Sequence, residues 1–205
     1  MDRLDLFTTP VTVFDLPDAG ALNHELAAML LAEQQVSAGF QASNVGGWHS
    51  VPDLSQRPGR CFQALMQAIV AHVGEVVRTL PAASAQPVPP FRFGVQAWAM
   101  IMRDGDYATL HDHGEAHWSS VYYVDAGDAD PARHEQSGLL AFLDPRRGGR
   151  PIPGLAISAS TFTVAPRTGA LVVFPGYLQH YVHAYRGDRP RISVSANLVM
   201  DFAPR

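Results

Sequence analysis

Two segments in the first half of the chain carry apolar residues at helical spacing. The first is predicted to be a helix over residues 19–35, with Asp18 placed to cap it. Its apolar face consists of Leu22, Leu26, Met29 and Leu30. The second is predicted over residues 59–80, and its apolar face consists of Phe62, Leu65, Met66, Ile69, Val73 and Val76. Such faces indicate surface helices that pack one side on a core.

The pattern changes after the proline-rich segment 81–90, which we interpret as a break between helices and a sheet. Short apolar or alternating runs follow, separated by glycine, proline and aspartate turns. The predicted strands cover residues 11–14, 91–102, 118–124, 138–143, 161–164, 170–174, 181–185 and 191–200, and the predicted loops cover residues 43–48 and 125–137. Many short strands at close spacing favour a sandwich or a jelly roll.

We therefore predict a mainly β fold of the jelly-roll type, also called the double-stranded β-helix or cupin-like fold. A chain of 205 residues with 47% apolar residues is sufficient for one sizeable core and small for two. The prediction is a single domain over residues 1–205. Its helical part, residues 1–90, packs on the outside of a jelly-roll core formed by residues 91–205.

Composition excludes several functional classes. The net charge of −4 provides no basic surface, so nucleic acid and anionic membranes are not expected partners. Cys61 is the only cysteine, which rules out an internal disulfide and a zinc site built on paired cysteines. No apolar run reaches about 18 residues, so no transmembrane helix is expected. The first residues, which include Asp2 and Asp5, do not resemble a signal peptide, and we expect a cytoplasmic protein.

Three of the nine histidines form a candidate metal site. On a strand the side-chain period is two, so His111 and His113 point to the same face. A solvated strand end would also account for this pair. His180 follows an apolar strand and a Pro-Gly turn, and a jelly roll makes neighbours of strands that are distant in sequence. The three imidazoles are therefore predicted to meet.

Arg191 and Ser193 form a second candidate site. They share one strand face, and Arg191 opens an otherwise apolar run. A guanidinium with a neighbouring hydroxyl suits a carboxylate, because the planar fork can bind both oxygens. A surface salt bridge is the alternative interpretation of Arg191.

The order H-x-H, then H, then R-x-S resembles the iron(II)- and 2-oxoglutarate-dependent dioxygenases, and more closely a bacterial branch known mainly from sequence. The similarity covers nearly the whole chain. The segments that carry it are LFTTP at 6–10, SNVGGW at 43–48, GDY at 105–107, VYYV at 121–124, FLDPR at 142–146, and FPGYLQH at 174–180 with Arg191 and Asn197.

The resemblance implies an iron ion held by His111, His113 and His180 inside a barrel open at one end. It implies 2-oxoglutarate as the cosubstrate, chelating the iron and placing its far carboxylate at Arg191 and Ser193. Tyr107 shares strand parity with His111 and is expected to contact the cosubstrate as well.

One position departs from the family pattern. Most members bind iron with two histidines and one carboxylate, and His113 stands where that carboxylate is expected. Asp112 would point to the other strand face. Glu115 follows His113 at spacing two, so a set of His113, Glu115 and His180 is the alternative. We prefer the pair that includes His111 because Gly105 and Tyr107 precede it, as in the family.

The expected function is an oxygenase that hydroxylates a small-molecule or amino-acid-like substrate with dioxygen and releases succinate and carbon dioxide. Two alternatives stay open. One is a cupin-like metal-binding protein without 2-oxoglutarate turnover, and the other is a three-histidine dioxygenase that does not use 2-oxoglutarate. A homodimer is compatible with exposed sheet edges.

Overall fold

A computed structural model describes residues 7–80, 88–146, 152–153 and 160–202. Residues 81–87 of the proline-rich segment and Leu6 of the LFTTP segment lie outside the described residues. The helices are α1 (Gly20–Val36) and α2 (Arg60–Thr79), with a 3-10 turn at Leu54–Gln56. The strands are β1 (Thr12–Asp15), β2 (Asn44–Val45), β3 (Trp48–His49), β4 (Phe91–Met102), β5 (Tyr107–His111), β6 (Trp118–Asp125), β7 (Leu140–Leu143), β8 (Thr161–Val164), β9 (Ala170–Pro175), β10 (His180–Val182) and β11 (Arg191–Phe202).

Within the described residues, the strands form two antiparallel sheets. The larger sheet has six strands in the order β1-β9-β6-β11-β4-β3, and the smaller has five in the order β2-β5-β10-β7-β8. Strands far apart in sequence are neighbours in both, as in the pairing of β10 with β5 and β7. This is the predicted double-stranded β-helix, and β4 and β8 have the predicted bounds.

Alternation along β11 gives the larger sheet two different faces. Ile192, Val194, Ala196 and Leu198 are buried in the main apolar cluster, together with the predicted face of α2. The residues that alternate with these line an interior cavity, and they are Arg191, Ser193, Ser195 and Asn197. The helices therefore cover one face of this sheet and leave the other for the site. In the described part of the chain, neither helix combines the length and apolarity needed to cross a membrane.

The predicted face of α1 is only partly correct. Leu26 and Leu30 are fully buried, but Met29 is 41% exposed. Asn23 is buried on this helix and accepts a hydrogen bond of 2.5 Å from the hydroxyl of Tyr122. A buried amide is tolerated there because this partner satisfies it. Periodicity of apolar residues could not reveal a polar residue in the core.

The predicted cap of α1 is wrong. Asp18 has a φ of 52° and lies one residue before the N-cap. Ala19 is the N-cap, and it makes no side-chain hydrogen bond to the helix. Aspartate tolerates this left-handed conformation, so Asp18 serves the turn into the helix.

Residues 43–48 were predicted as a loop, but they contribute two short strands and a corner between the sheets. β2 pairs with β5 in the smaller sheet, and β3 pairs with β4 in the larger one. Gly46 and Gly47 lie between them with φ of 66° and 62°, which only glycine adopts readily. The corner brings Ser43 and His49 to the cavity from different sheets.

Gly176, in the turn between β9 and β10, fixes the segment that follows β5. Its carbonyl accepts a 2.8 Å hydrogen bond from the amide of His113, and its own amide donates to the carbonyl of His117. A Cβ at this position would lie 2.2 Å from the carbonyl oxygen of Ala116 and 2.7 Å from that of His113. The two turns approach so closely that only glycine fits.

We predict that Gly176→Ala lowers the free energy of unfolding by about 1–3 kcal/mol, because the new methyl group must displace backbone atoms. Gly20→Ala is the matched control, since a Cβ at Gly20 meets nothing within 4 Å. Chemical denaturation of both variants measures the difference. Equal stability of the Gly176→Ala protein and the wild type would show that the two turns are not in contact.

Candidate metal centre and carboxylate site

Three histidines meet in one cavity between the two sheets. His111 ends β5, His113 follows two residues later, and His180 begins β10 opposite His111. Their ring centroids are 4.3 to 5.2 Å apart. One nitrogen from each ring lies within 4.8 Å of the others. This spacing allows a single ion to contact all three imidazoles.

Backbone carbonyls fix the tautomers of two of these histidines. Nδ1–H of His111 donates to the carbonyl of Thr109 at 2.7 Å, and Nδ1–H of His180 donates to that of Leu178 at 2.9 Å. The Nε2 atom of each ring therefore carries the lone pair. Hydrogen bonds of this kind orient metal-binding imidazoles in proteins. The Nε2 atom of His111 is 3.3 Å from Oγ of Ser43.

Burial keeps the histidine cluster uncharged. Burial, together with the smaller effect of the neighbouring His111, lowers the pKa of His113 to about 4 and that of His180 to about 3. Burial also lowers the pKa of His111. At neutral pH the three rings are neutral, and their nitrogen lone pairs are available to a borderline divalent ion such as iron(II).

Two carboxylates, those of Asp112 and Glu115, lie near the histidine cluster, and both are exposed. Glu115 is exposed and lines an outer cavity of about 550 Å³ together with His113, but it does not line the cavity that holds all three histidines. Asp112 is also exposed, and its Oδ1 atom accepts a 3.2 Å hydrogen bond from the amide of Gly114. Among the described residues, the group with metal-binding geometry consists of the three histidines.

The remaining histidines of this region have other contacts. His117 accepts a hydrogen bond from the amide of Met200 at its Nδ1 atom, and His183 packs against the ring of Tyr181.

The inner cavity has a volume of about 290 Å³ and is lined by the three histidines, Arg191 and Ser193. Arg191 is 1% exposed. Its Nη1 atom lies 3.4 Å from Oγ of Ser193 and 3.6 Å from Sδ of Met102, and its guanidinium carbon is 5.0 Å from the ring centre of Tyr123. No carboxylate pairs with it among the described residues. Arg191 therefore does not form the surface salt bridge that was the alternative interpretation.

Polar atoms without a partner lie at this end of the cavity. Nε of Arg191 and the hydroxyl of Tyr123 are buried without a hydrogen-bond partner among the described residues. A buried cation without an anion is costly, and a buried donor left unsatisfied costs further free energy. An anionic oxygen ligand would satisfy the guanidinium and the phenol together.

Sequence reasoning did not single out Tyr123. It lies on β6 directly opposite Ser193 of β11, on the cavity face of the sheet. Burial raises the pKa of Tyr123, while the charge of Arg191 opposes this effect. Its segment reads as an apolar core strand, and only the pairing of β6 with β11 reveals its place.

Tyr107 was predicted to share a face with His111, and the structure does not bring it to the cavity. His180 pairs with His111, but Val182 pairs with Ala108, so β5 contains one extra residue between these points. A bulge of this kind reverses the side-chain parity. Ala108 is consequently buried in the cavity wall, and Tyr107 is 38% exposed on the outside.

A family described as "Putative 2OG-Fe(II) oxygenase" matches residues 96–197, a range that includes the three histidines, Arg191 and Ser193. No curated protein matches the sequence.

Solved structures share the fold at low sequence identity. A Pseudomonas putida prolyl-4-hydroxylase has a TM-score of 0.61 and 19% identity, with 95% of each chain covered. A Trichoplax adhaerens prolyl hydroxylase, solved with a hypoxia inducible factor peptide, has a TM-score of 0.63 and 11% identity, covering 95% of this chain and 85% of the other. HygX from Streptomyces hygroscopicus, solved with nickel and 2-oxoglutarate, has a TM-score of 0.59 and 13% identity, covering 93% of this chain and 83% of the other.

We predict that Arg191→Leu leaves the ligand-free protein at least as stable as the wild type, because it removes a buried cation for which the described residues provide no anionic partner. Thermal unfolding without added ligands measures this. Ile192→Ala is the control on the opposite face of β11, and we expect it to lose about 2–5 kcal/mol. A comparable loss in Arg191→Leu would contradict the interpretation of Arg191 as an uncompensated charge.

Proposed function

Since the chain belongs to the 2OG-Fe(II) oxygenase family through residues 96–197, we propose that His111, His113 and His180 hold its ferrous iron. The protein is an oxidoreductase whose cofactors are iron(II) and 2-oxoglutarate. One observation carries the proposal for its site: three neutral imidazoles converge in a cavity that also contains a buried guanidinium with no carboxylate partner among the described residues.

We place the far carboxylate of 2-oxoglutarate at Arg191, Ser193 and Tyr123. A guanidinium fork binds a carboxylate through two parallel hydrogen bonds. The hydroxyl of Tyr123 is a further donor that has no other partner among the described residues. In this proposal Tyr123 makes the contact with the cosubstrate that was predicted for Tyr107. The keto acid end of the cosubstrate is then directed to the histidines, which leave further coordination positions free.

The reaction we propose is hydroxylation of a C–H bond. When bound, iron(II) and 2-oxoglutarate supply the oxidation: one oxygen atom of dioxygen enters succinate as carbon dioxide is lost, and the other enters the substrate as a hydroxyl group. The protein positions the reactants and limits access of water. Met100, Met102 and Phe174 form apolar walls of the inner cavity and are almost completely buried.

The substrate is proposed to be a small or amino-acid-like molecule that reaches the histidines from the outer cavity. Asp112, His113 and Asn197 line both the inner and the outer cavity, so the two adjoin at the metal site. An inner volume of about 290 Å³ is at the lower end of the range for small-molecule sites, and much of it is assigned to the cosubstrate.

An anaerobic titration tests the proposed function. Purified protein is loaded with iron(II), and 2-oxoglutarate is added while the visible spectrum is recorded. Chelation of iron(II) by the keto acid produces a weak charge-transfer band, which we expect in the wild type and not in His180→Ala. Tight metal binding without the band would instead support metal binding without 2-oxoglutarate turnover, or a dioxygenase that does not use 2-oxoglutarate.

Arg191→Leu is predicted to weaken 2-oxoglutarate binding at least tenfold with little change in iron(II) affinity. The reason is the loss of charge-assisted hydrogen bonds in a site of low dielectric constant. Tyr123→Phe should show a smaller loss, because it removes one neutral donor and keeps the ring. Titration of the charge-transfer band measures both. Unchanged 2-oxoglutarate affinity in Arg191→Leu would remove Arg191 from the carboxylate site.

A further inference from the structure

His113 differs from the other two cluster histidines in how its ring is held. The rings of His111 and His180 each donate a hydrogen bond to a backbone carbonyl. The ring of His113 makes no hydrogen bond to any residue that the structure describes. It also follows the end of β5, so its ring orientation depends on neighbouring side chains.

An aromatic stack lies against this ring. The indole of Trp98 meets the imidazole of His113 edge to face, with ring centroids 5.5 Å apart and an interplanar angle of 61°. The imidazole of His49 stacks almost parallel to Trp98, at 5.6 Å and 10°. Trp98 is 9% exposed and His49 is 5% exposed, so both rings are held by packing.

His49 is itself fixed to the sheet. Its Nδ1–H donates a 2.6 Å hydrogen bond to the carbonyl of Ser50. Ser50 is anchored to β4 in two ways: its amide donates to the carbonyl of Ala99, and its Oγ accepts from the amide of Ala99. Ala99 follows Trp98 directly, so Trp98 and His49 are both attached to the same part of β4.

We propose that Trp98, supported by His49, is a positioning residue for His113. The stack orients the ring of His113, as hydrogen bonds to backbone carbonyls orient the rings of His111 and His180. The inference rests on the proposed iron site, and it assigns a role to His49, which the glycine corner brings to the cavity. Aromatic pairs prefer defined geometries, so a stack can orient a ring as well as bury it.

The test compares iron(II) affinity, read from the charge-transfer band at saturating 2-oxoglutarate, in anaerobic samples of the full chain. Trp98→Leu is expected to weaken iron(II) binding about tenfold or more, in line with the loss of other groups that orient metal ligands. Trp98→Phe keeps an aromatic face and should retain most of the affinity. His49→Leu interrupts the same stack from the edge strand and should cause a smaller loss.

Trp48→Leu is the matched control. Trp48 is buried, as Trp98 is, but it lies on β3 and belongs to the apolar cluster beneath the helices. It should reduce thermal stability and leave iron(II) affinity unchanged. If Trp48→Leu and Trp98→Leu lose iron(II) affinity equally, the effect of Trp98 is one of general stability and the proposal is wrong.

A double-mutant comparison makes the role of His113 explicit. In the His113→Ala background, Trp98→Leu should have no further effect on iron(II) affinity. An equal loss in both backgrounds, or no loss in either, would overturn the positioning role. If His113→Ala alone binds iron(II) like the wild type, the three-histidine ligand set is wrong, and the positioning role is wrong with it.

Discussion

The antiparallel pairing of β10 with β5 is the interaction on which the site depends. It places His180 opposite His111, although 68 residues separate them in the sequence. The contact of Gly176 with the turn after β5 then holds His113 beside them. Without this pairing the three imidazoles would be separate polar residues. With it, they lie together in one cavity, with pKa values lowered by burial, and present three neutral rings whose nitrogen atoms are within reach of one ion.

The two ends of the cavity have opposite electrostatic requirements. The histidine cluster is neutral and provides no negative charge, so a divalent cation bound there as proposed would be held by donor geometry rather than by a ligand carboxylate. Arg191 is a buried cation whose charge no described residue balances. A dianionic keto acid that spans the cavity would provide negative charge at both ends. On the proposed assignment, this complementarity would account for the costly buried guanidinium at that end of the cavity.

Sequence patterns predicted the regular parts of this fold well and its exceptions poorly. The long strand β4 and the buried face of α2 follow directly from alternation and helical periodicity. The bulge in β5, the capping of α1 and the corner at Gly46 and Gly47 depend on local backbone conformations that periodicity does not encode. The bulge had a direct consequence for the site, because it moved Tyr107 out of the cavity. Tyr123 was missed for a related reason: its place beside Arg191 follows from the pairing of β6 with β11, which no local pattern specifies.

In the proposed site one iron(II) ion binds to three imidazoles, with no protein carboxylate among its ligands. X-ray absorption spectroscopy of the anaerobic complex with 2-oxoglutarate measures this directly, since imidazole rings give a characteristic outer-shell scattering. We predict scattering from three histidines in the wild type and from two in His113→Ala. A wild-type spectrum with two imidazoles, unchanged in His113→Ala, would contradict the account and point to a carboxylate such as Glu115 or Asp112 as the third ligand.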